Sequence, residues 1–256
     1  MLLLAQALAQ SPSAEDLRVA WTGALPALQA HSEMPVVTLD QQAFELMAQG
    51  EVYRYRRQES ESVDTAVGVA FVPYPVEDLW LGAIDDVHQH LSDGLTETWL
   101  PGTVPGHKVL YQHFDVPAPF DDRHWVIIIE SNQALYEATS GVVWERTWDL
   151  DPRGIDALAD VPADTVPEPE AALWTPVNRG GWQLIPVEGG SLVVYQVSSD
   201  IGGHIPDDLV VRFALASLGS MIGHLAELGA ATPAHYVGDH FLIVRPDGSP
   251  IPARPS

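Results

Sequence analysis

The sequence predicts an α+β fold in which a curved antiparallel sheet wraps around a long C-terminal helix. The order of elements carries this prediction: a strand pair, a helix, about six strands in hairpins, and then one long helix. The hairpin at 181–197 and the helical pattern at 206–228 are the clearest segments. A hairpin that leads into a long terminal helix is typical of a helix laid across a curved sheet, and that arrangement can enclose an apolar chamber.

Composition supports one sizeable core and disfavours two classes of partner. The chain has 256 residues, of which 46% are hydrophobic and 18% are charged. Its 12 basic and 35 acidic residues give a formal net charge of −23. Such a surface repels nucleic acid and anionic membranes, so we expect no nucleic-acid partner. We also expect no stable membrane insertion, because no segment after the N-terminus has the uninterrupted apolar length of a membrane span. The chain has no cysteine, which excludes disulfides, thiolate metal sites and cysteine nucleophiles.

The N-terminus leaves the location of the protein open. A short apolar run at 1–9 ends in Ala7-Leu8-Ala9, which has the form of a signal-peptidase site, but no basic residues precede it. Exported and cytoplasmic locations are therefore both compatible with the sequence. We divide the chain into an N-terminal segment at 1–40, a ligand-binding domain at 41–230 and a C-terminal tail at 231–256.

The first half of that domain begins with a strand pair and a helix. Apolar residues alternate with arginines at 52–57, as in a half-buried strand, and an apolar strand pattern follows at 63–72. Pro75 suits the start of a helix, and the acidic Glu77 and Asp78 suit its first turn. We expect this helix to end near His88 to His90.

Four further strands and a long loop come next. The strands are predicted at 95–100, 108–116, 123–131 and 141–150, and the third is apolar on both faces. The segment 151–176 is rich in proline, alanine and acidic residues, which predicts an insertion or loop.

The last helix combines a wide apolar surface with small residues in its interior. Ser217, Gly219 and Gly223 lower its helix propensity. Small residues there would leave volume for a ligand or allow close packing on the sheet, and the sequence leaves both explanations open. A possible strand at 241–245 lies in the tail.

Several stretches resemble START-type lipid-transfer domains of the Bet v 1-like superfamily. They are PVEDLW at 75–80, PAPFDDRHW at 117–125, GGW at 180–182 and DIGGHIPDDL at 200–209. They are similar, in that order, to the family's short helix, its proline-bearing turn with an Arg-Asp pair, its last hairpin and the start of its gripping helix. His124 departs from the pattern, because the family usually has aspartate after the arginine.

The resemblance covers roughly 43–228 and implies a helix-grip fold that binds a hydrophobic small molecule, such as a lipid, in an internal apolar cavity. In the family pattern Arg123 faces the chamber, where it would anchor a polar head group. It equally suits a salt bridge with Asp121 or Asp122. We predict no catalytic residue, no metal site and no cofactor. The predicted ligand-binding residues are Arg123, Trp125, Ile127, Tyr195, Phe213, Ser217, Met221 and His224.

Two alternatives stay open at this point. Some members of the wider superfamily are cyclases or hydrolases, and an enzyme of that kind would use His113 or His124 inside the chamber as a general base, paired with an acid. A structural or partner-binding domain would instead have a filled core. The pair His88 and His90 has a spacing that binds metal on a strand, but a solvated helix end explains it better.

Overall fold

A computed structural model describes most of the chain. The described residues are 11–59, 63–84, 94–116, 118, 120–163, 165, 172–203, 207–235, 237 and 244–252. The proposed signal at 1–9, the predicted helix end at His88 to His90 and most of the possible strand at 241–245 lie outside them.

The helices and strands follow the predicted order. The five α-helices of the described part are α1 Ala14–His31, α2 Gln41–Ala48, α3 Val76–Ile84, α4 Gln133–Ala138 and α5 Asp207–His235, and a 3₁₀ helix spans Gly154–Asp160. The strands are β1 Tyr53–Arg57, β2 Thr65–Val72, β3 Leu95–Trp99, β4 His107–Phe114, β5 Arg123–Ser131, β6 Trp144–Leu150, β7 Leu173–Trp174, β8 Val177–Val187 and β9 Gly190–Asp200.

One curved sheet contains all of these strands, in the order β1-β2-β9-β8-β6-β5-β4-β3. Neighbouring strands are antiparallel, except that β7 pairs in parallel with the start of β5. Because β9 pairs with β2, the last hairpin joins the first strand pair to the later strands. The predicted α+β fold with a curved antiparallel sheet and a long C-terminal helix is confirmed.

Alternation along the strands separates two faces that carry different helices. On the concave face, Val193 and Tyr195 of β9 belong to a core with α3 and α5. On the convex face, Leu192 and Val194 belong to a second core with α1, α2 and Leu135 of α4. The long terminal helix therefore lies on the concave side.

The sequence at 14–39 gives a mixed helical signal, which Gly23, Pro26 and Pro35 interrupt, yet α1 is a regular helix over Ala14–His31. Ser13 and Asp16 form a capping box, in which the Asp16 amide donates to the Ser13 hydroxyl over 3.2 Å. Pro26 lies inside the helix without ending it. Leu17 and Leu28 are buried against the sheet, and this packing outweighs the loss of helix propensity at Pro26. The predicted domain limits at 40 and 230 stay predictions.

A buried carboxylate joins α1 and α4 to the convex face. Glu145 of β6 is 0% exposed. Its oxygens accept hydrogen bonds from the Ser32 hydroxyl, the Glu33 amide, the Asn132 amide group and the Gln183 amide group, at 2.5–2.8 Å. Asn132 also caps α4 by accepting from the Leu135 amide. Buried charge is tolerated when donors surround it in this way.

The helices α3 and α5 approach closely because glycines lie between them. A methyl group on Gly82 would stand 2.8 Å from Cβ of Leu228, and one on Gly229 would stand 2.7 Å from Cδ2 of Leu79. Any larger residue at these two positions would force the helices apart.

Three segments differ from the expectations. The short helix α4 falls in a stretch for which no helix was predicted, and the loop predicted at 151–176 includes the 3₁₀ helix and β7. The helix α5 extends seven residues past Leu228, to His235. By length and composition alone, its stretch Asp208–Ala234 is apolar enough to cross a membrane, although core helices of soluble proteins pass the same test. The absence of stable membrane insertion therefore stays a prediction.

Candidate functional site

A pocket of about 280 Å³ lies between α5 and the concave face of the sheet. The helix α5 packs on β1, β2 and β9, and the concave surface of β3 to β6 forms the wall of the pocket beside it. Most of the pocket wall is apolar or aromatic. Its apolar members are Ala83, Leu95, Phe114, Trp125, Ile127, Ile129, Trp148, Trp182, Tyr195, Val197, Ile201, Val210, Phe213, Ala214 and Met221.

The structure brings six of the eight predicted site residues to this pocket. From the sheet these are Trp125, Ile127 and Tyr195, and from α5 they are Phe213, Ser217 and Met221. The two that do not line it are Arg123 and His224.

Phe213 and Ser217 of α5 have different surroundings. Phe213 is 68% exposed, so it stands at the edge of the pocket with most of its ring in solvent. Ser217 is half-buried, and its hydroxyl donates to the carbonyl of Ala214 over 2.9 Å. Because its own helix satisfies that hydroxyl, Ser217 presents a small and largely apolar surface to the pocket.

Arg123 is buried at the start of β5, where it joins two loops. Its Nε donates to the carbonyl of Ile201 over 2.5 Å, and its Nη2 donates to that of Gly202 over 3.5 Å. Its Nη1 donates to the carbonyls of Asp121 and Asp122. The guanidinium thus binds carbonyl oxygens of the segment that precedes β5 in the sequence and of the segment that follows β9. It makes no salt bridge with the Asp121 or Asp122 carboxylates among the ion pairs of the described residues.

His224 lies on the partly exposed side of α5. Its Nδ1 is 3.4 Å from Oε2 of Glu227, one turn further along the helix. Its helical spacing from Ser217 and Met221 predicts that His224 lies on the same side of α5 as they do. In the structure Ser217 and Met221 line the pocket, whereas His224 does not.

Sequence reasoning missed the buried cation in the pocket wall. Arg146 of β6 is 4% exposed, lines the pocket, and donates from Nη1 to the carbonyl of Ala83 near the end of α3. Next to it, buried Lys108 donates to the carbonyl of Ile84. Two cations at a helix C-terminus complement its partial negative charge. Position 146 lies on the same strand face as the aromatic Trp144 and Trp148. This alternation is the sequence feature from which its place in the pocket wall could have been predicted.

The indole groups of the pocket have polar partners of their own. Trp125 donates from Nε1 to Oε1 of Gln112 over 2.5 Å, and Trp148 donates to Oδ1 of Asn178 over 2.9 Å. The rings of Tyr195 and Trp182 are in contact, with centroids 4.2 Å apart. Burial raises the pKa of Tyr195, so its hydroxyl stays protonated and neutral throughout the physiological range.

A larger opening, of about 600 Å³, lies on the convex face. Its walls mix apolar residues, such as Met34 and Leu150, with charged and hydroxyl side chains, and several of the polar groups bond to one another. Arg57 donates to Oε1 of Gln196 over 2.5 Å, and the hydroxyls of Thr65 and Ser198 are 2.7 Å apart. Because these polar groups satisfy one another, this opening suits an apolar ligand less well than the pocket below α5 does.

The two candidate base histidines face away from the pocket. His113 and His124 are cross-strand neighbours on β4 and β5, on the same face as Tyr111 and Val126 and opposite to Trp125 and Ile127. Burial, with a smaller contribution from His113, lowers the pKa of His124. Within the described residues no histidine lines the pocket.

Comparison with known proteins gives fold neighbours but no sequence relatives. No family model matches the chain, and no curated protein matches it. A STAR-related lipid transfer protein from Xanthomonas axonopodis has a similar structure, with a TM-score of 0.55 and 18% identity over 70% of this chain and 93% of that one.

Two human structures are also similar. STARD10 matches with a TM-score of 0.53 and 10% identity over 79% of this chain and 84% of that chain. StAR-related lipid transfer protein 5 matches with a TM-score of 0.50 and 12% identity over 83% and 97%. Together with the curved sheet and the helix across its concave face, these matches show that the chain has the helix-grip fold of START-type lipid-transfer domains.

Proposed function

We propose that this protein binds a hydrophobic small molecule, a lipid by class, between α5 and the concave face of the sheet, and that it carries this ligand without chemical change. The observation that supports the proposal is the apolar and aromatic wall of the 280 Å³ pocket. The STAR-related lipid transfer protein and StAR-related lipid transfer protein 5 are named for lipid transfer and share its fold.

Burial of apolar surface supplies the free energy of binding. A ligand that buries about 200 Å² of apolar surface gains about 5 kcal/mol, at about 25 cal/mol per Å². The loss of translational and rotational freedom opposes this gain. The pocket volume of about 280 Å³ is near the lower limit of small-molecule sites. A compact ligand therefore fits it better than a lipid with two long chains.

The polar end of the ligand has a candidate partner in Arg146. Its guanidinium belongs to the pocket wall, and a planar guanidinium with five N–H donors suits a carboxylate or another oxygen acceptor. The family pattern predicts this role for Arg123, but the donors of Arg123 reach the carbonyls around Ile201. We therefore propose an amphiphile whose polar end lies towards β6 and whose apolar part lies along Trp125, Ile127 and Tyr195.

The enzymatic alternative needs a histidine in the pocket. Because His113 and His124 lie on the opposite face of the sheet, neither can act on a ligand below α5. We propose binding rather than catalysis for this reason.

Native mass spectrometry of gently purified protein tests the proposal directly. We expect a population whose mass exceeds that of the chain by one small apolar ligand, and we expect organic extraction to remove it. The extracted protein should then bind cis-parinaric acid, a fluorescent fatty acid, with a stoichiometry of one. Protein that is folded, ligand-free and unable to bind this probe would favour the domain with a filled core.

A further inference from the structure

A second cluster of functional side chains lies at the junction of β4 and β5, on the face opposite to the pocket. His113 is the penultimate residue of β4, Asp115 follows the strand, and Asp122 directly precedes β5. The strand neighbour of His113, Phe114, lines the pocket on the other face. The cluster is therefore separate from the proposed ligand site but lies beside its rim.

The imidazole of His113 lies between the two carboxylates. Its Nδ1 is 3.3 Å from Oδ1 of Asp115, and its Nε2 is 3.7 Å from Oδ2 of Asp122. Each of the three side chains offers one ligand atom, and these three atoms lie within 4.8 Å of one another. An ion with bonds of about 2.0–2.2 Å would draw them closer together, and the exposed side chain of Asp115 is free to rotate towards it.

Hydrogen bonds hold the backbone and one carboxylate of the cluster in place. The amide of Val116 donates to Oδ1 of Asp122 over 2.9 Å and leaves Oδ2 for the cluster. The amide of Asp115 donates to the carbonyl of Gly94, and the amide of Leu173 donates to that of Asp122. Such secondary contacts orient ligands and raise metal affinity.

The chemistry of these groups selects a borderline divalent cation. One imidazole nitrogen and two carboxylate oxygens are a ligand set that Zn²⁺ accepts. The side chain of His113 is 10% exposed and that of Asp115 is 70% exposed, so water can complete the coordination from one side. The net charge of −23 attracts cations to the surface.

From this geometry we propose that His113, Asp115 and Asp122 bind one Zn²⁺ ion. The ion joins the end of β4 to the start of β5, next to the point where Arg123 binds the carbonyls of Ile201 and Gly202. Bound there, the ion fixes the two strand ends at the rim of the pocket, and its remaining coordination position is open to water.

Calorimetric titration of ZnCl₂ into tag-free, chelator-treated protein tests the proposal. We expect one saturable site and a rise in melting temperature on addition of Zn²⁺. Asp122→Asn and His113→Gln should each weaken binding by about tenfold or more. Co²⁺ in place of Zn²⁺ should give a visible absorption band that both variants lose.

A matched control is available on the same strand. Nδ1 of His107 is 2.6 Å from Oε1 of Glu130, and among the described residues this histidine–carboxylate pair belongs to no group of three potential metal ligands. His107→Gln should leave Zn²⁺ binding unchanged. Melting curves of the metal-free variants show whether each one folds. The proposal fails if Zn²⁺ does not bind with a stoichiometry of one, or if folded His113→Gln and Asp122→Asn proteins bind it as wild type does.

Discussion

Arg123 donates a hydrogen bond from its buried Nε to the carbonyl of Ile201, and this contact joins the start of β5 to the segment between β9 and α5. Ile201 lines the pocket, whereas Arg123 does not. The arginine thus positions the segment that leads into α5 instead of touching the proposed ligand.

Replacement of Arg123 should loosen this segment. Arg123→Ala removes the charged donor of the carbonyls of Ile201, Gly202 and Asp121, and a hydrogen bond to a charged group contributes about 1.5–3 kcal/mol. We expect a loss of at least about 2 kcal/mol in urea unfolding, together with faster amide exchange around 201–203. Unchanged exchange there would contradict the positioning role.

Enlargement of Ser217 should fill the pocket. Ser217→Trp places an indole where the helix now presents a hydroxymethyl group to the pocket, so we expect cis-parinaric acid binding to be lost while the protein stays folded. Fluorescence titration measures the binding, and circular dichroism reports the fold.

Ser220→Trp is the matched control for that change. Ser220 is exposed, one turn further along α5, and its hydroxyl donates to its own helix as that of Ser217 does. This variant should bind the probe as wild type does. Equal binding by both tryptophan variants would place the ligand elsewhere.

Glu145 should be among the most sensitive positions on the convex face. Glu145→Leu removes the acceptor of the Glu33 amide and one acceptor each of the Asn132 and Gln183 amide groups. The Ser32 hydroxyl keeps the carbonyl of Met34 as an acceptor, and we expect a loss of about 3 kcal/mol or more. The exposed Glu137, which accepts only from Gln133 among the described hydrogen bonds of its side chain, is the control. Glu137→Ala should change the free energy of unfolding by about 0.5 kcal/mol or less.

Two glycines of α5 should respond in opposite directions to the same substitution. Gly229→Ala puts a methyl group 2.7 Å from Leu79, and overpacking of this kind costs about 1–3 kcal/mol. Gly223 has open space around it, so Gly223→Ala should stabilise the helix by up to about 1 kcal/mol. Thermal unfolding of both variants checks the contrast, and a stable Gly229→Ala protein would mean that α3 and α5 pack less tightly than the structure has them.

Much of the fold could be predicted from local patterns. The alternation at 52–57, the turn at Gly189 and the apolar pattern after Asp207 correspond to β1, the β8–β9 hairpin and α5. Turns and side-chain periods act over a few residues, so a sequence displays them directly. The helix α4 is not predicted from the sequence, because only six helical residues follow its Asn132 cap and they are too few to show a helical period.

The candidate site was predicted in part, for a similar reason. Trp125, Ile127 and Tyr195 share a strand parity that the sequence shows, and the chamber was expected on one face of the sheet. Arg146 has that parity as well. Its sequence neighbours are polar, Glu145 and Thr147, so the sequence alone indicates an exposed arginine. Only the packing of α3, whose Ala83 carbonyl accepts from Arg146, shows that the side chain is buried. Arg123 lies outside the pocket because it binds the carbonyl of Ile201, 78 residues further along the chain. No local sequence pattern indicates such a contact.

The sequence by itself determined most of the strands, the helix α3, the long helix α5 and the order in which they follow, because these depend on near neighbours along the chain. Tertiary structure alone decided that α1 covers the back of the sheet, that α5 leaves a pocket in front of it, and that Arg146 rather than Arg123 lies in its wall. Those outcomes depend on which surfaces far apart in the chain bury each other, and that is a property of the packed molecule as a whole.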